Sequence, residues 1–226
     1  MEIRRNNLDC DAILFDWDGT LVNSLNLKVE NAGVLFNDRF GYSVESIERA
    51  YRIHSGVPRR TLFDAILMEV GNRKLNNSEY ADLSNAFTEL NLSNLSTDYL
   101  FSDTIETLDY LRGCGIRLFV SSSAIPEDVI ASAAQLGISD KFVEVLGSFE
   151  GFGKGIEHVS YVCEKYKLNK GKIIMIGDES ADIFLAKSAE VYSIAKVGSL
   201  EKSELSKLKP NRIIDSLSEL SELIKT

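Results

Sequence analysis

Two pairs of aspartates form the reactive pattern of this chain. Asp16 and Asp18 flank Trp17 at the end of an apolar run in AILFDWDGTLVNS, residues 12–24. Asp178 follows the apolar run IIMIG, and Asp182 lies about one helical turn further on. Each pair ends a stretch that reads as a buried strand, so the four carboxylates are expected to converge and repel. At an effective dielectric near 20, two like charges about 4 Å apart cost on the order of 4 kcal/mol. A hard divalent cation removes that cost, and an all-oxygen donor set with room for water favours Mg²⁺ over zinc. No nitrogen or sulfur cluster competes. His54 and His158 are the only histidines and lie far apart in sequence, and Cys10, Cys114 and Cys163 are scattered without CxxC spacing.

The elements that must position these groups alternate along the chain. Short apolar runs at 11–16, 116–121, 143–147, 172–176 and 191–195 predict strands, each too short for a helix and bounded by Gly, Ser or Asp. Their near-continuous apolar character predicts a parallel sheet covered on both faces. Helical patterns at about 102–112, 126–136, 155–167 and 179–189 lie between them. The alternation predicts an α/β layered fold with right-handed crossovers, in which strand ends and the loops after them form the ligand crevice. Residues 24–97 break the pattern, with four helical stretches at about 25–39, 44–53, 60–70 and 78–90 and NLSNLSTD as the return linker. The expected organisation is a core of residues 1–22 and 98–226 with a helical insertion over 23–97. The amphipathic C-terminal SLSELSELIK predicts a surface helix packed on the core, and the Glu and Lys clusters after residue 200 read as solvated.

Four segments carry a family resemblance. FDWDGTLVNS resembles the DxDGT motif of the haloacid dehalogenase-like superfamily, LFVSSS its second motif, Lys154 in GFGKG its third, and IIMIGDESADIFLAK its GDxxxD motif. They occur in the family's order and cover nearly the whole chain. The resemblance implies a Rossmann-like parallel sheet with an inserted four-helix cap, as in the C1-capped phosphatases and β-phosphoglucomutase-like enzymes. It implies Asp16 as nucleophile, forming an aspartyl-phosphate; a carboxylate suits this, being ionised at neutral pH. Asp18 becomes general acid and then base, with its backbone carbonyl on the metal. Asp16, Asp178 and Asp182 complete the Mg²⁺ site, Asp182 as ligand or as partner of one. Ser122 is expected on the phosphoryl oxygens, with Ser121 the alternative, and Lys154 offsets charge on the nucleophile and the transferring group. Gly19, Thr20 and Ser123 are further substrate contacts. Plainer readings exist beside these: Asp182 as a helix cap, Gly19-Thr20 as a turn, Ser123 as cap of the helix near Pro126, Phe15 and Trp17 as packing, His158 as structural.

The insertion bears on substrate. HSGVPRRTLFDAIL resembles the cap specificity loop, and Arg59 sits where relatives hold an anionic part of the substrate, with Arg60 the alternative. Arg59 replaces the Schiff-base lysine of phosphonatases, which argues against carbon–phosphorus cleavage. Lys28 stands where mutases carry a cap histidine, which lowers but does not remove a β-phosphoglucomutase-like transfer. Asp18 is absent from true dehalogenases, so its presence favours a phosphoryl substrate. Lys154 is followed by Gly155 where the family usually has proline.

Bulk properties fit this reading. The 226 residues are 44% hydrophobic and 26% charged, a soluble globular balance, and the formal net charge of −9 offers no basic face for nucleic acid. The opening MEIRRNNLDCDA lacks the apolar core of a signal peptide, and no apolar run approaches a membrane span. The scattered cysteines read as reduced thiols in a cytoplasm. The expectation is a cytoplasmic, monomeric or weakly self-associating Mg²⁺-dependent hydrolase of a small phosphomonoester, a sugar phosphate or a phosphoglycolate-like acid. The alternatives are a phosphoglucomutase-type transferase and a non-catalytic binding protein.

Overall fold

A computed structural model describes residues 8–224. The first seven residues of the segment read for a signal peptide, and the outermost residues of the expected core, lie outside that range. The chain runs β1 (Ala12–Phe15), α1 (Leu25–Phe40), α2 (Val44–His54), α3 (Arg59–Gly71), α4 (Asn77–Asn94), α5 (Thr104–Gly113), β2 (Arg117–Ser121), α6 (Pro126–Gln135) and β3 (Glu144–Leu146). It continues through α7 (Ile156–Tyr166), β4 (Ile173–Gly177), α8 (Ser180–Ser188), β5 (Tyr192–Lys196), α9 (Lys202–Leu208), β6 (Arg212–Ile214) and α10 (Leu220–Leu223). The strands form one parallel sheet in the order β3-β2-β1-β4-β5-β6. The order reverses beside β1, which places its carboxyl end at the crevice where such sheets bind ligands.

Strand periodicity explains how β1 is buried on both sides. Ile13 and Phe15 join Leu118, Val120, Ile174 and Ile176 in a core under α5, α6 and the C-terminal segment. Ala12 and Leu14 face the opposite way and meet Phe119, Met175, Val159 and Val162 beneath α7 and α8. Alternate side chains of a strand point to opposite faces, so a continuous apolar run is what a sheet covered on both sides requires.

Helices α1 to α4 gather a separate core around Phe36, Phe63 and Phe87. The rings of Phe36 and Phe63 stand 5.0 Å apart and those of Phe63 and Phe87 5.3 Å apart, both nearly perpendicular, the edge-to-face arrangement aromatic quadrupoles favour. The two connections between this bundle and the sheet lie side by side. Val22 bridges Leu100 in antiparallel fashion, and the Asn23 amide donates to the Tyr99 carbonyl at 2.7 Å.

Three local expectations change. Helix α4 runs to Asn94, through the first half of the segment expected as a linker. Its polar residues find partners on α1: Asn31 Nδ2 donates to Asn91 Oδ1 at 2.8 Å, and Asn94 Nδ2 donates to Asn31 Oδ1 at 2.9 Å. Strand β6 and helix α9 were not expected; β6 has three residues at the sheet edge, and α9 buries only Leu205. Ser123 does not cap α6, whose N-cap residue is Ile125 with Pro126 at the first helical position. The C-terminal segment packs on the core as expected, through Leu217, Leu220 and Ile224.

Candidate active site

The loops after β1, β2 and β4 bring the reactive residues together. Asp16 follows β1 directly, and its amide donates to the Ile176 carbonyl of β4 at 2.8 Å. The turn that follows folds back on itself: the Gly19 amide donates to the Val22 carbonyl, and the amides of Leu21 and Val22 to that of Trp17. Gly19 adopts φ +81°, and a Cβ there would lie 2.2 Å from Asp178 Oδ2. Only glycine leaves space for the carboxylate from β4 to approach the β1 turn. Trp17 and Phe15 are buried and pack in the core, as the plainer reading held.

Asp16, Asp178 and Asp182 are all buried, and a carboxylate oxygen from each lies within 4.8 Å of the others. Lys154 Nζ donates to Asp16 Oδ1 at 2.7 Å and also pairs with Asp182 Oδ1. Burial, together with the neighbouring Asp182 and Asp178, pushes the Asp16 carboxyl well above the usual carboxylate range, against the opposing pull of Lys154. Burial also raises Asp178, although Ser199 and Thr20 donate to its carboxylate. Burial acts to lower Lys154, but Asp16 and Asp182 outweigh it and hold the ammonium charged. Three buried acids with one resident cation remain short of positive charge. The donor set is all oxygen, and this fits a hard divalent ion held by Asp16, Asp178 and Asp182.

Asp18 departs from the expected convergence of four carboxylates. Its side chain turns towards α1, where Lys28 Nζ donates to Oδ1 at 2.6 Å and to Oδ2 at 2.5 Å and Ser24 Oγ also donates to Oδ1. Burial would raise this carboxyl, but Lys28 and Ser24 outweigh it and hold it below the usual range. The carboxylate of Asp18 is therefore not in the three-acid cluster. It lines a hollow of about 100 Å³ with Asp16, Lys154, Ser122 and Ser123.

The two serine alternatives separate by direction. Ser121 Oγ lies 2.9 Å from His158 Nδ1, away from the hollow. Ser122 lines the hollow, and its Oγ accepts from the Ala124 amide at 3.1 Å. His158 is structural: fully buried, its Nε2 is 3.1 Å from the Gly147 carbonyl, and burial lowers its pKa to about 4. Asp182 caps the start of α8 as the plainer reading held, its Oδ2 accepting the Glu179 amide in the capping box, while Oδ1 meets Lys154.

The expected substrate contacts change more. Thr20 is fully buried and its hydroxyl donates to Asp178 Oδ1 at 3.0 Å, so it holds a carboxylate rather than facing the hollow. Gly19 likewise acts by making room for Asp178. Arg59 lines the hollow, but its guanidinium is engaged: Nη1 donates to Ser84 Oγ at 3.1 Å and Thr88 Oγ1 at 2.9 Å, and Nη2 pairs with Asp128. Arg60 pairs with Asp64, donates to the Leu75 carbonyl at 2.5 Å and stacks on Tyr80.

Sequence reasoning missed four contributors. Ser148 ties the loops carrying Ser122 and Lys154, donating from Oγ to the Ser122 carbonyl at 2.7 Å and accepting the Lys154 amide at 3.1 Å. Ser24 holds Asp18, and Asp128 holds Arg59. Glu179 lines the hollow, and burial followed by Asp178 raises its pKa to about 7. Its position beside Asp178 in GDES was the one available signal.

Residues 13–196 match the haloacid dehalogenase-like hydrolase family. The phosphoglycolate phosphatase of Vibrio parahaemolyticus is 28% identical over 225 residues, covering 96% of each chain. That of Haemophilus influenzae is 30% identical over 194 residues, covering 81% of this chain and 84% of its own. A crystal structure described as a predicted phosphoglycolate phosphatase from Haemophilus somnus superposes with a TM-score of 0.81 at 25% identity, over 97% of this chain and 98% of that one. The β-phosphoglucomutase of Clostridium difficile shares the fold, with a TM-score of 0.77 at 21% identity, over 94% of this chain and 93% of that one. The chain belongs to the haloacid dehalogenase-like hydrolase family and is one of its phosphatases. The expected α/β parallel-sheet architecture and enzyme class are thereby borne out.

Proposed function

We propose that this chain hydrolyses a small phosphomonoester with Mg²⁺, through a phosphoryl group carried on Asp16. The observation that carries the reading is the contact of Lys154 Nζ with Asp16 Oδ1 at 2.7 Å, within a cluster of three buried carboxylates, beside a hollow shared with Asp18 and Ser122. Asp16 attacks phosphorus, forming an acyl-phosphate bond as the bond from phosphorus to the leaving oxygen breaks. Asp18 gives that oxygen a proton. Water then attacks the acyl-phosphate, Asp18 takes the water's proton, and inorganic phosphate and free Asp16 result. Lys28, bound across both oxygens of Asp18, favours its ionised form and so suits it to the second half, and the proton Asp18 gives in the first half is the one it took from water in the preceding turnover. Lys154 offsets charge on Asp16 and on the transferring group, and Ser122 offers its hydroxyl to the phosphoryl oxygens. Asp16, Asp178 and Asp182, with the Asp18 carbonyl, would hold Mg²⁺, which would supply positive charge to the transferring phosphoryl group.

We take the bundle of α1 to α4 as the cap over residues 23–97, excluding bulk water from the hollow. The named relatives support a small acid or sugar phosphate as substrate. The free thiols of Cys10, Cys114 and Cys163 support a reducing, cytoplasmic setting, and among the described residues no helix is long and apolar enough to cross a membrane.

Asp16→Asn tests the reading. Phosphate release from p-nitrophenyl phosphate with Mg²⁺ should fall at least about a thousandfold, with the melting temperature kept or raised because a buried like charge is gone. Chelation should abolish wild-type release and added Mg²⁺ restore it. Residual activity near wild type in Asp16→Asn would contradict the proposal.

A further inference from the structure

Every cation facing the reaction hollow and the cleft beside it already has a carboxylate partner. Among the described residues these cations are Lys28, Arg59, Arg60 and Lys154. Lys28 is bound to Asp18, Lys154 to Asp16 and Asp182, and Arg60 to Asp64. Arg59 is the most completely occupied. Asp128 Oδ2 pairs with its Nη2, and the other oxygen of Asp128 accepts from Thr88 Oγ1 at 2.7 Å. Both oxygens of a core carboxylate on α6 are thus satisfied by the helical bundle. A second anion on the substrate would compete with Asp128 for Arg59 and leave that largely shielded carboxylate without its counter-charge. Glu150 and Glu179 add negative charge to the same walls.

The cleft also exceeds what a small acid fills. Beside the hollow of about 100 Å³ lies a space of about 790 Å³ that shares Gly56, Val57, Arg59, Ser123 and Lys154 with its wall. A two-carbon acid displaces roughly three waters, on the order of 90 Å³. The larger space is walled by Val57, Tyr80, Ile125, Phe149, Phe184 and Leu185. Phe149 and Phe184 are 61% and 54% exposed at its edge. Apolar side chains held open beside a polar reaction centre are the usual form of a pocket that takes an organic group.

We propose that the leaving group of the substrate is uncharged with an apolar or aromatic face, that it occupies the cleft between loops 56–60 and 148–153, and that Asp128 enforces this choice by neutralising Arg59. The inference rests on the hydrolase reading above and sets aside the small acid named there in favour of an uncharged leaving group. Asp128 acts through Arg59 and is a positioning residue.

The test compares benzyl phosphate with 2-phosphoglycolate, both esters of ordinary alcohols, so that intrinsic reactivity does not decide the outcome. With Mg²⁺, wild-type kcat/KM from phosphate release should favour benzyl phosphate by at least about tenfold. Asp128→Asn frees Arg59 and should raise kcat/KM for 2-phosphoglycolate relative to benzyl phosphate by at least about tenfold, chiefly through KM. Phe184→Ser, at an exposed position that tolerates change, should raise KM for benzyl phosphate several-fold and leave that for 2-phosphoglycolate in place. A wild-type preference for 2-phosphoglycolate, or an unchanged preference in both variants, overturns this inference and leaves the hydrolase standing. Absence of Mg²⁺-dependent release from either ester overturns the hydrolase reading and this inference with it.

Discussion

At the residue scale the closest fit is between Gly19 and Asp178. Alanine at 19 would place a methyl 2.2 Å from Asp178 Oδ2 on a backbone at φ +81°. The carboxylate or the turn must move, and the left-handed backbone adds strain of about 1–3 kcal/mol. Gly19→Ala should lower the melting temperature by several degrees and raise the Mg²⁺ concentration for half-maximal activity at least about tenfold, read by titrating Mg²⁺ against phosphate release. The acidic residues of the site were legible because their type and spacing after apolar runs admit few readings. Their directions were not. Nothing in DxD spacing says that Asp18 turns to Lys28 while Asp16 turns to Lys154. The Arg59–Asp128 pair was beyond reach for another reason: its partners are 69 residues apart and meet only when the bundle brings the first residue of α3 to α6 of the core. An arginine at a helix start looks the same in sequence whether it waits for a ligand or is already paired.

At the scale of the element, apolar runs located five of the six strands, each within about a residue at its start, because strands buried on both faces have no solvent side to break the run. The short edge strand β6 and the charged helix α9 bury too little to leave a pattern. Helix α4 was cut short because Asn and Ser disfavour helix interiors, yet Asn31 donates to Asn91 and accepts from Asn94 across α1 and α4. Its start is held by a capping box, in which Asn76 Oδ1 accepts the Glu79 amide at 2.9 Å and Glu79 Oε2 accepts the Asn76 amide at 3.0 Å. Asn76→Ala removes one half of this and should cost about 1 kcal/mol. The check is a lowered urea midpoint with kcat unchanged, since the cap lies outside the reaction hollow.

For the molecule as a whole, buried His158 links stability to acidity. Its imidazole takes a proton near pH 4 in the folded chain and near 6.5 when unfolded. Between those values the unfolded chain binds more protons. Stability from this group is therefore complete above pH 6.5 and is lost as pH falls towards 4, by about 3 kcal/mol over the full window. The buried acids Asp16 and Asp178, raised in the fold, act in the opposite sense, so the histidine is isolated by difference. In metal-free protein, the stability gap between wild type and His158→Gln should narrow on acidification from pH 7 to 5, by chemical denaturation at each pH. A constant gap would place the lowered affinity for protons elsewhere.

The adjacent connections at Val22–Asn23 and Tyr99–Leu100 have a consequence for ancestry and engineering alike. A chain that leaves and rejoins the sheet at neighbouring points can exchange the intervening helices as a cassette, because a short splice closes the gap without redirecting any strand. Asp16, Asp178 and Asp182 would stay where β1 and β4 put them, while any replacement must bring its own partners for Asp18 in place of Ser24 and Lys28.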